Sequence, residues 1–209
     1  MFYFARTPFW IKKLYSRGCW QMPVHRKAIY LSFDDGPHPD MTPFVLAELD
    51  KFNAKATFFC IGRNVVQYPN IYQTILEKGH AVGNHTYDHL NGWNTKTGTY
   101  LDNILKAKQQ INSNLFRPPY GRIKSAQLKA LAGPQFQLQA VMWTVLSGDF
   151  DESISPQKCL KNVINNTDNG SIIVFHDSEK ASSKIRYALP LVLQYFSERG
   201  YAFEKITLG

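Results

Sequence analysis

Cysteine is scarce in this chain: Cys19, Cys60 and Cys159 are odd in number and far apart. That spacing excludes a disulfide framework and the close pairs of a zinc finger. Cys60, near the end of the apolar run 56–61, reads as a buried thiol. Long apolar runs are missing too, so no segment is expected to span a bilayer. There is no internal repeat, low-complexity tract or linker, which argues against solenoids and tethered modules. Neither a phosphate loop nor an RNA-stacking signature occurs, and no basic run is long enough to be an arm, so nucleic acid is not an expected partner. Acidic residues are the minority, 16 against 24 basic ones, giving a formal net charge of +8. Because the lysines and arginines are scattered, this reads as a solvated surface, with an anionic glycan as the second choice.

What is present suits one globular domain. The chain has 209 residues, 44% of them hydrophobic and 14% aromatic, enough for a sizeable core. Aromatic excess of this kind more often fills a core than lines a sugar groove. We place the domain at residues 27–209 and treat residues 1–26 as an extension packed on it. The stretch 1–23 is aromatic and basic, and Arg6, Lys12, Lys13 and Arg17 interrupt its apolar residues. It lacks the h-region and cleavage site of a secretory signal. A short helix packed on the domain is the preferred reading. Peripheral contact with a membrane surface is less favoured, because the charges do not segregate onto one helical face. With no signal evident, the default compartment is the cytoplasm or the inner membrane face.

From Ala28 onward short apolar runs alternate with helix-like stretches. Strands are expected at 29–33, 56–61, 80–83, 136–143, 172–175 and 201–203. Helices are expected at 42–52 (opened by Thr42-Pro43), 70–78, 101–111, 125–131, 155–165 (opened by Ser155-Pro156) and 185–199. The Asn-, Thr- and Gly-rich stretch 87–98 reads as a long loop. Alternation of this kind implies a parallel α/β sheet, open or closed into a barrel.

The chemistry follows the strands. Asp34-Asp35-Gly36-Pro37, Asn84-His85 through His89, Arg117-Pro118-Pro119-Tyr120, Ser147-Gly148-Asp149 and His176-Asp177 each succeed an apolar run. In parallel α/β folds those carboxyl ends share one face, where loops build the active site. Adjacent aspartates on an extended strand point opposite ways, so a bend at Gly36-Pro37 must bring both to one site. One would then bind a metal and the other act as base. His85 and His89, four apart, would share one side of a helical turn and reach one ion. Asp88 reads as a plain loop residue. A fixed Arg117 guanidinium beside a carboxylate would keep it ionised and oriented. Pro118-Pro119 would hold the backbone extended so that the Tyr120 amide points at a ligand. Asp149 could cap a turn, or pair with a histidine and raise its pKa.

On these residues the chain resembles the polysaccharide deacetylases of carbohydrate esterase family 4, the NodB-homology domain. The resemblance runs from about Lys27 to the C-terminus. Ser32-Phe33-Asp34-Asp35-Gly36-Pro37 looks like the family's first motif, His85-Thr86-Tyr87-Asp88-His89 its second, and Arg117-Pro118-Pro119-Tyr120 its third. The stretch around Asp149 looks like the fourth and Val174-Phe175-His176 like the fifth; these two are looser. The resemblance implies a distorted (β/α)7-type barrel and a divalent metal, zinc first, with cobalt, nickel or iron also suited to the ligands. It implies Asp35, His85 and His89 as metal ligands, Asp34 as base, His176 as acid tuned by Asp149, and Arg117 orienting Asp34. Tyr120, with Pro119, would serve the oxyanion. Two departures stand out. Leu146 replaces an aspartate three residues before Asp149, and Phe150 replaces a tryptophan. In the family that tryptophan and a leucine of the fifth motif line the acyl-methyl pocket; here Phe150 and Val174 would do so. The implied activity is N-deacetylation of glycans such as peptidoglycan or chitin oligomers, which would suit the cell envelope. An O-acetyl xylan esterase, an amino-sugar deformylase and a non-catalytic sugar-binding domain are the alternatives.

Overall fold

A computed structural model describes residues 3–23 and 25–208. Among these described residues there are eight strands: β1 (Ala28–Asp34), β2 (Thr57–Cys60), β3 (Ala81–Asn84), β4 (Leu115–Phe116), β5 (Gln139–Ala140), β6 (Val145–Leu146), β7 (Ile172–His176) and β8 (Ala202–Phe203). Eight helices accompany them: α1 (Phe9–Leu14), α2 (Met41–Lys51), α3 (Gly62–Gln67), α4 (Pro69–Glu77), α5 (Thr97–Lys108), α6 (Ser125–Leu131), α7 (Pro156–Ile164) and α8 (Ser182–Glu198).

The strands pair in parallel along the path β5-β4-β3-β2-β1-β7-β6, with β8 beside the start of β1. Strand β1 lies mid-sheet and is buried along its whole length, as expected of a strand covered on both faces. Strands β5 and β6 end the path at opposite edges, yet only residues 141–144 separate them in sequence. Five residue steps reach at most ~18 Å, whereas seven strands laid flat would span roughly 29 Å. The sheet therefore has to curl, and it forms a seven-stranded half-barrel in a single domain. Phe33 stacks between Phe58 and Phe175, at centroid distances of 5.1 and 6.2 Å, in the core beneath the site.

The amino-terminal segment lies along both free edges. Leu146 N donates to Ala5 O and Thr7 N to Thr144 O at β6, while Cys19 N donates to Ala140 O and Met142 N to Cys19 O at β5. Backbone groups of the edge strands are thereby paired rather than exposed.

Two expectations from sequence need correcting. The run 136–143 is not one strand; only Gln139–Ala140 pairs. Gln137 has φ 50, and its amide and that of Phe136 turn back to Gly133 O, which cuts the strand short. The helix 42–52 starts at Met41, and Thr42 does not cap it; the Thr42 hydroxyl is engaged at Asp177 instead. Helix α3 and the two-residue strands β4 and β6 carry too short an apolar pattern to be read from periodicity.

Candidate active site

The face at the carboxyl ends of the strands is built from β1 outward. Register pairing sets Asp34 directly opposite His176 on β7. The chain turns at Asp35, whose φ is 81, and at the expected Gly36-Pro37, whose peptide bond is cis. Aspartate tolerates this left-handed backbone better than most side chains, and the turn separates the surroundings of the two carboxylates.

Asp34 faces Arg117. The Arg117 side chain is fully buried and its Nη1 donates to Asp34 Oδ1 at 2.7 Å and to Ser32 Oγ at 2.8 Å. Its Nε and Nη2 donate to Val141 O and Met142 O, and the guanidinium lies 4.0 Å from the centre of the Phe59 ring. Every face of the cation is thus fixed, and Asp34 has a permanent counter-charge.

Asp35 faces two imidazoles. Its Oδ1 lies 3.1 Å from His89 Nε2 and 3.7 Å from His85 Nε2, and the three ligand atoms lie within 4.8 Å of one another. Burial works to raise the Asp35 pKa, but His89, His176 and His85 hold it well below the ordinary carboxylate range. His85 is buried, and burial pulls its pKa down to about 4 against the pull of Asp34. The expected helical turn between the histidines is absent. His85 follows directly on β3, and Thr86 and His89 take φ 61 and 59. Thr86 N bonds Asn84 Oδ1, and Asn103 of α5 accepts from Tyr87 N and Asp88 N. The loop is therefore wound by side-chain bonds rather than by helix geometry. Asp88 receives a bond from Asn103 Nδ2.

These residues fit a divalent cation. Asp35 Oδ1 is buried and makes no hydrogen bond of acceptable geometry, although two imidazole nitrogens approach it. His85 Nδ1 is 2.7 Å from Arg117 O; a carbonyl only accepts, so Nδ1 carries the proton and Nε2 presents its lone pair to Asp35. Tetrahedral ligands bonded at ~2.0–2.1 Å stand about 3.4 Å apart, close to the two separations seen. A second grouping, His38, Asp40 and Glu179, differs. His38 Nδ1 already accepts from the amides of Asp40 and Met41, so Nε2 holds the proton and faces Glu179 at 4.0 Å.

His176 is gripped twice by Asp149. Oδ1 lies 2.7 Å from His176 Nδ1, and Oδ2 accepts from the His176 amide at 2.7 Å. Burial opposes the imidazolium, yet Asp149, joined by Asp35 and Asp34, pushes the pKa up to about 10. Nδ1 is occupied, which leaves Nε2 as the nitrogen free to meet a substrate. Phe150 packs edge-on against the His176 ring at 5.3 Å. Val174 is buried in β7 between Ser32 and Leu146 in register, two residues before His176. Their side chains therefore share one side of the sheet. Pro119 and Tyr120 do not run extended. They form a 3-10 turn with Tyr120 at φ 60, because the amides of Gly121 and Arg122 bond Pro118 O and Pro119 O. The Tyr120 amide is not used in that turn, and its ring lies 4.6 Å from His89.

Two participants escaped the sequence reading. Asp177, fully buried, accepts from Gly36 N at 3.0 Å and from the Thr42 hydroxyl, while its own amide donates to Asp34 O. Burial first, and Asp35 with it, pushes its pKa up to about 8 against those donated bonds. Asn64 of α3 donates to Asp35 O at 2.7 Å. Both brace the Asp34-Asp35 turn. The only signal for Asp177 was its place beside His176, and Asn64 had none.

The sequence model of a family described as polysaccharide deacetylase matches residues 21–138. A peptidoglycan-N-acetylglucosamine deacetylase of Bacillus cereus is 36% identical over 179 residues, covering 82% of this chain and 63% of that protein; the chain thus spans less than two thirds of that relative. Another protein of that description from the same organism is 32% identical over 194 residues, 90% of each chain. A crystal structure of a peptidoglycan N-acetylglucosamine deacetylase in complex with 4-naphthalen-1-yl-N-oxidanyl-benzamide matches with a TM-score of 0.84 at 30% identity, covering 96% of this chain and 95% of that one.

Proposed function

The chain belongs to the polysaccharide deacetylase family, and from that premise we propose that it hydrolyses N-acetyl groups on N-acetylglucosamine-type glycans, peptidoglycan or chitin oligomers. The carrying observation is the pairing of Asp34 with His176 across adjacent strands, each fixed by a buried counter-charge, beside the Asp35, His85 and His89 cluster.

In this reading Asp35, His85 and His89 hold a divalent metal, zinc in the first place, which when bound polarises the acyl carbonyl and acidifies water. Asp34, held in place by Arg117, accepts a proton from the attacking water. The new bond joins the water oxygen to the carbonyl carbon. The Tyr120 amide, left out of its turn, donates to the developing oxyanion, a contribution of roughly 3 kcal/mol for one good donor. His176 then delivers its proton to the nitrogen as the C–N bond breaks, releasing acetate and an amine. Phe150 and Val174 border the acyl group. A general acid at His176 favours amide over ester substrates, because an amine leaves poorly unless protonated.

The test is acetate release from chitin oligomers and from acetylated xylan, before and after chelation and zinc return. Release from the first, lost on chelation and restored by zinc, is expected. A stoichiometrically metal-loaded chain that frees no acetate from any N-acetylated glycan would remove the proposal.

A further inference from the structure

We propose that Tyr3, on the amino-terminal segment, is a specificity-determining residue of the acyl site: it holds Phe150 against His176 and so limits the acyl chain that fits beside the acid. The inference rests on the deacetylase reading above.

Residues 3–7 run antiparallel along β6, bridged between Arg6 and Val145. Burial alternates along them as in a strand, with Tyr3, Ala5 and Thr7 turned inward and Phe4 and Arg6 outward. Arg6 ties the segment to Asp168, and Ala5 and Thr7 bond to β6 and its approach. This pairing carries Tyr3 toward the carboxyl end of β6, where the catalytic loops lie. There its ring meets Phe150 at 5.2 Å, tilted by 58°, and Phe150 in turn meets His176 at 5.3 Å and 74°. Burial first, then the nearby carboxylate of Asp151, the residue after Phe150, pushes the Tyr3 hydroxyl pKa up to about 12, so it stays neutral. It also lies over Gly148, where a Cβ would stand only 2.5 Å from the hydroxyl oxygen. The loop that carries Asp149 and Phe150 is thus shaped to receive this one side chain.

The consequence follows from reach. The acid must stand within ~2.6–3.2 Å of the departing nitrogen, and the acyl carbon is bonded to that nitrogen. A ring packed on His176 therefore borders the acyl group. Phe150 is part-exposed, and Tyr3 packs on it as well as His176 does. Without Tyr3 the phenyl ring gains room to turn away from His176, and the acyl site lengthens.

The test compares kcat/KM on glucosamine oligomers carrying N-acetyl, N-propionyl and N-butyryl groups. Tyr3→Ala is expected to lower the acetyl-over-butyryl ratio by roughly tenfold, the scale of one methylene in a closed apolar pocket. Tyr3→Phe, which keeps the ring, retains most of the ratio. Adding Phe150→Trp to Tyr3→Ala restores it, because the larger indole fills the space Tyr3 held. An equal loss on all three substrates, as a purely structural role would give, or an unchanged ratio in an active Tyr3→Ala protein, overturns the inference alone; so does failure of the indole to restore selectivity. A wild-type chain inactive on every acyl group instead overturns the deacetylase reading, and this inference with it.

Discussion

Arg117 shows how a single buried residue can govern a site of opposite charge. It is wholly enclosed and its partners are Asp34, Ser32 and two backbone carbonyls. Removing one member of such a pair leaves the other charge without compensation, which costs more than the pair itself contributes. Arg117→Ala should destabilise the chain by about 3–5 kcal/mol, read as a lower urea midpoint; an unchanged midpoint would show that Asp34 does not depend on it. The ligand and acid roles separate cleanly by measurement. Asp35→Ala should emerge from gel filtration with sub-stoichiometric metal. His176→Ala should keep its metal while turnover falls roughly 10²–10⁴-fold. Full metal content in the first, or wild-type rates in the second, would contradict the assignments. Asp149 is the principal raising influence on His176. Asp149→Asn withdraws it, so the acid loses its proton at lower pH. The alkaline limb of kcat/KM should move down by roughly 1–3 pH units, and a fixed limb would mean that another group sets it.

At the scale of elements, the amino-terminal segment acts as a stave laid against the open side of the half-barrel. It pairs with β6 through Ala5 and Thr7 and with β5 through Cys19. An uncovered edge strand offers unpaired amides and carbonyls to other chains. Deleting residues 1–7 should cost about 2–3 kcal/mol in lost backbone bonds, or a fall in Tm of roughly 4–12 °C. Concentration-dependent light scattering should rise with it, and a monodisperse truncation with an unshifted Tm would speak against edge protection. The long strands and helices were legible because their apolar periods run for several repeats. The cap of α7 was legible too, since Ser155 Oγ accepts from Lys158 N as that dipeptide suggested. Strands β4 and β6, two residues each, carry no period to read, and the six residues of α3 make less than two helical turns. Spacing also misled: His85 and His89 sit four apart, yet they meet through a loop with two left-handed residues rather than a helical turn.

For the molecule as a whole, two buried groups set a slope of stability against pH. His176 titrates at about 10 when folded against a usual 6.5. The stability it contributes is complete below the unfolded value and gone once pH passes the folded one. Asp177 is raised from 3.8 to about 8, so the folded chain again holds the extra proton across that interval. Where the folded state binds more protons than the unfolded, stability falls as pH rises. His80 and His85, both lowered to about 4, act in the opposite sense but only below 6.5. The metal-free chain should therefore show a urea midpoint that declines from pH 6.5 to 9, and a flat or rising midpoint would refute the assignment.

The sequence by itself determined the alternation of elements and the set of side chains that form the candidate site. These depend on apolar period and on short motifs, which are local. The resemblance implied the division of the two aspartates between Arg117 and the imidazoles, but only the tertiary structure decided how it is made, with Asp34 opposite His176, because that depends on strand register and on the left-handed turn at Asp35. The same holds for Asp177, Asn64 and Tyr3, whose partners are 29 to 147 positions away in sequence. A contact across that distance leaves no periodic trace, since it is made by the curl of the sheet and by the segment that closes its edge.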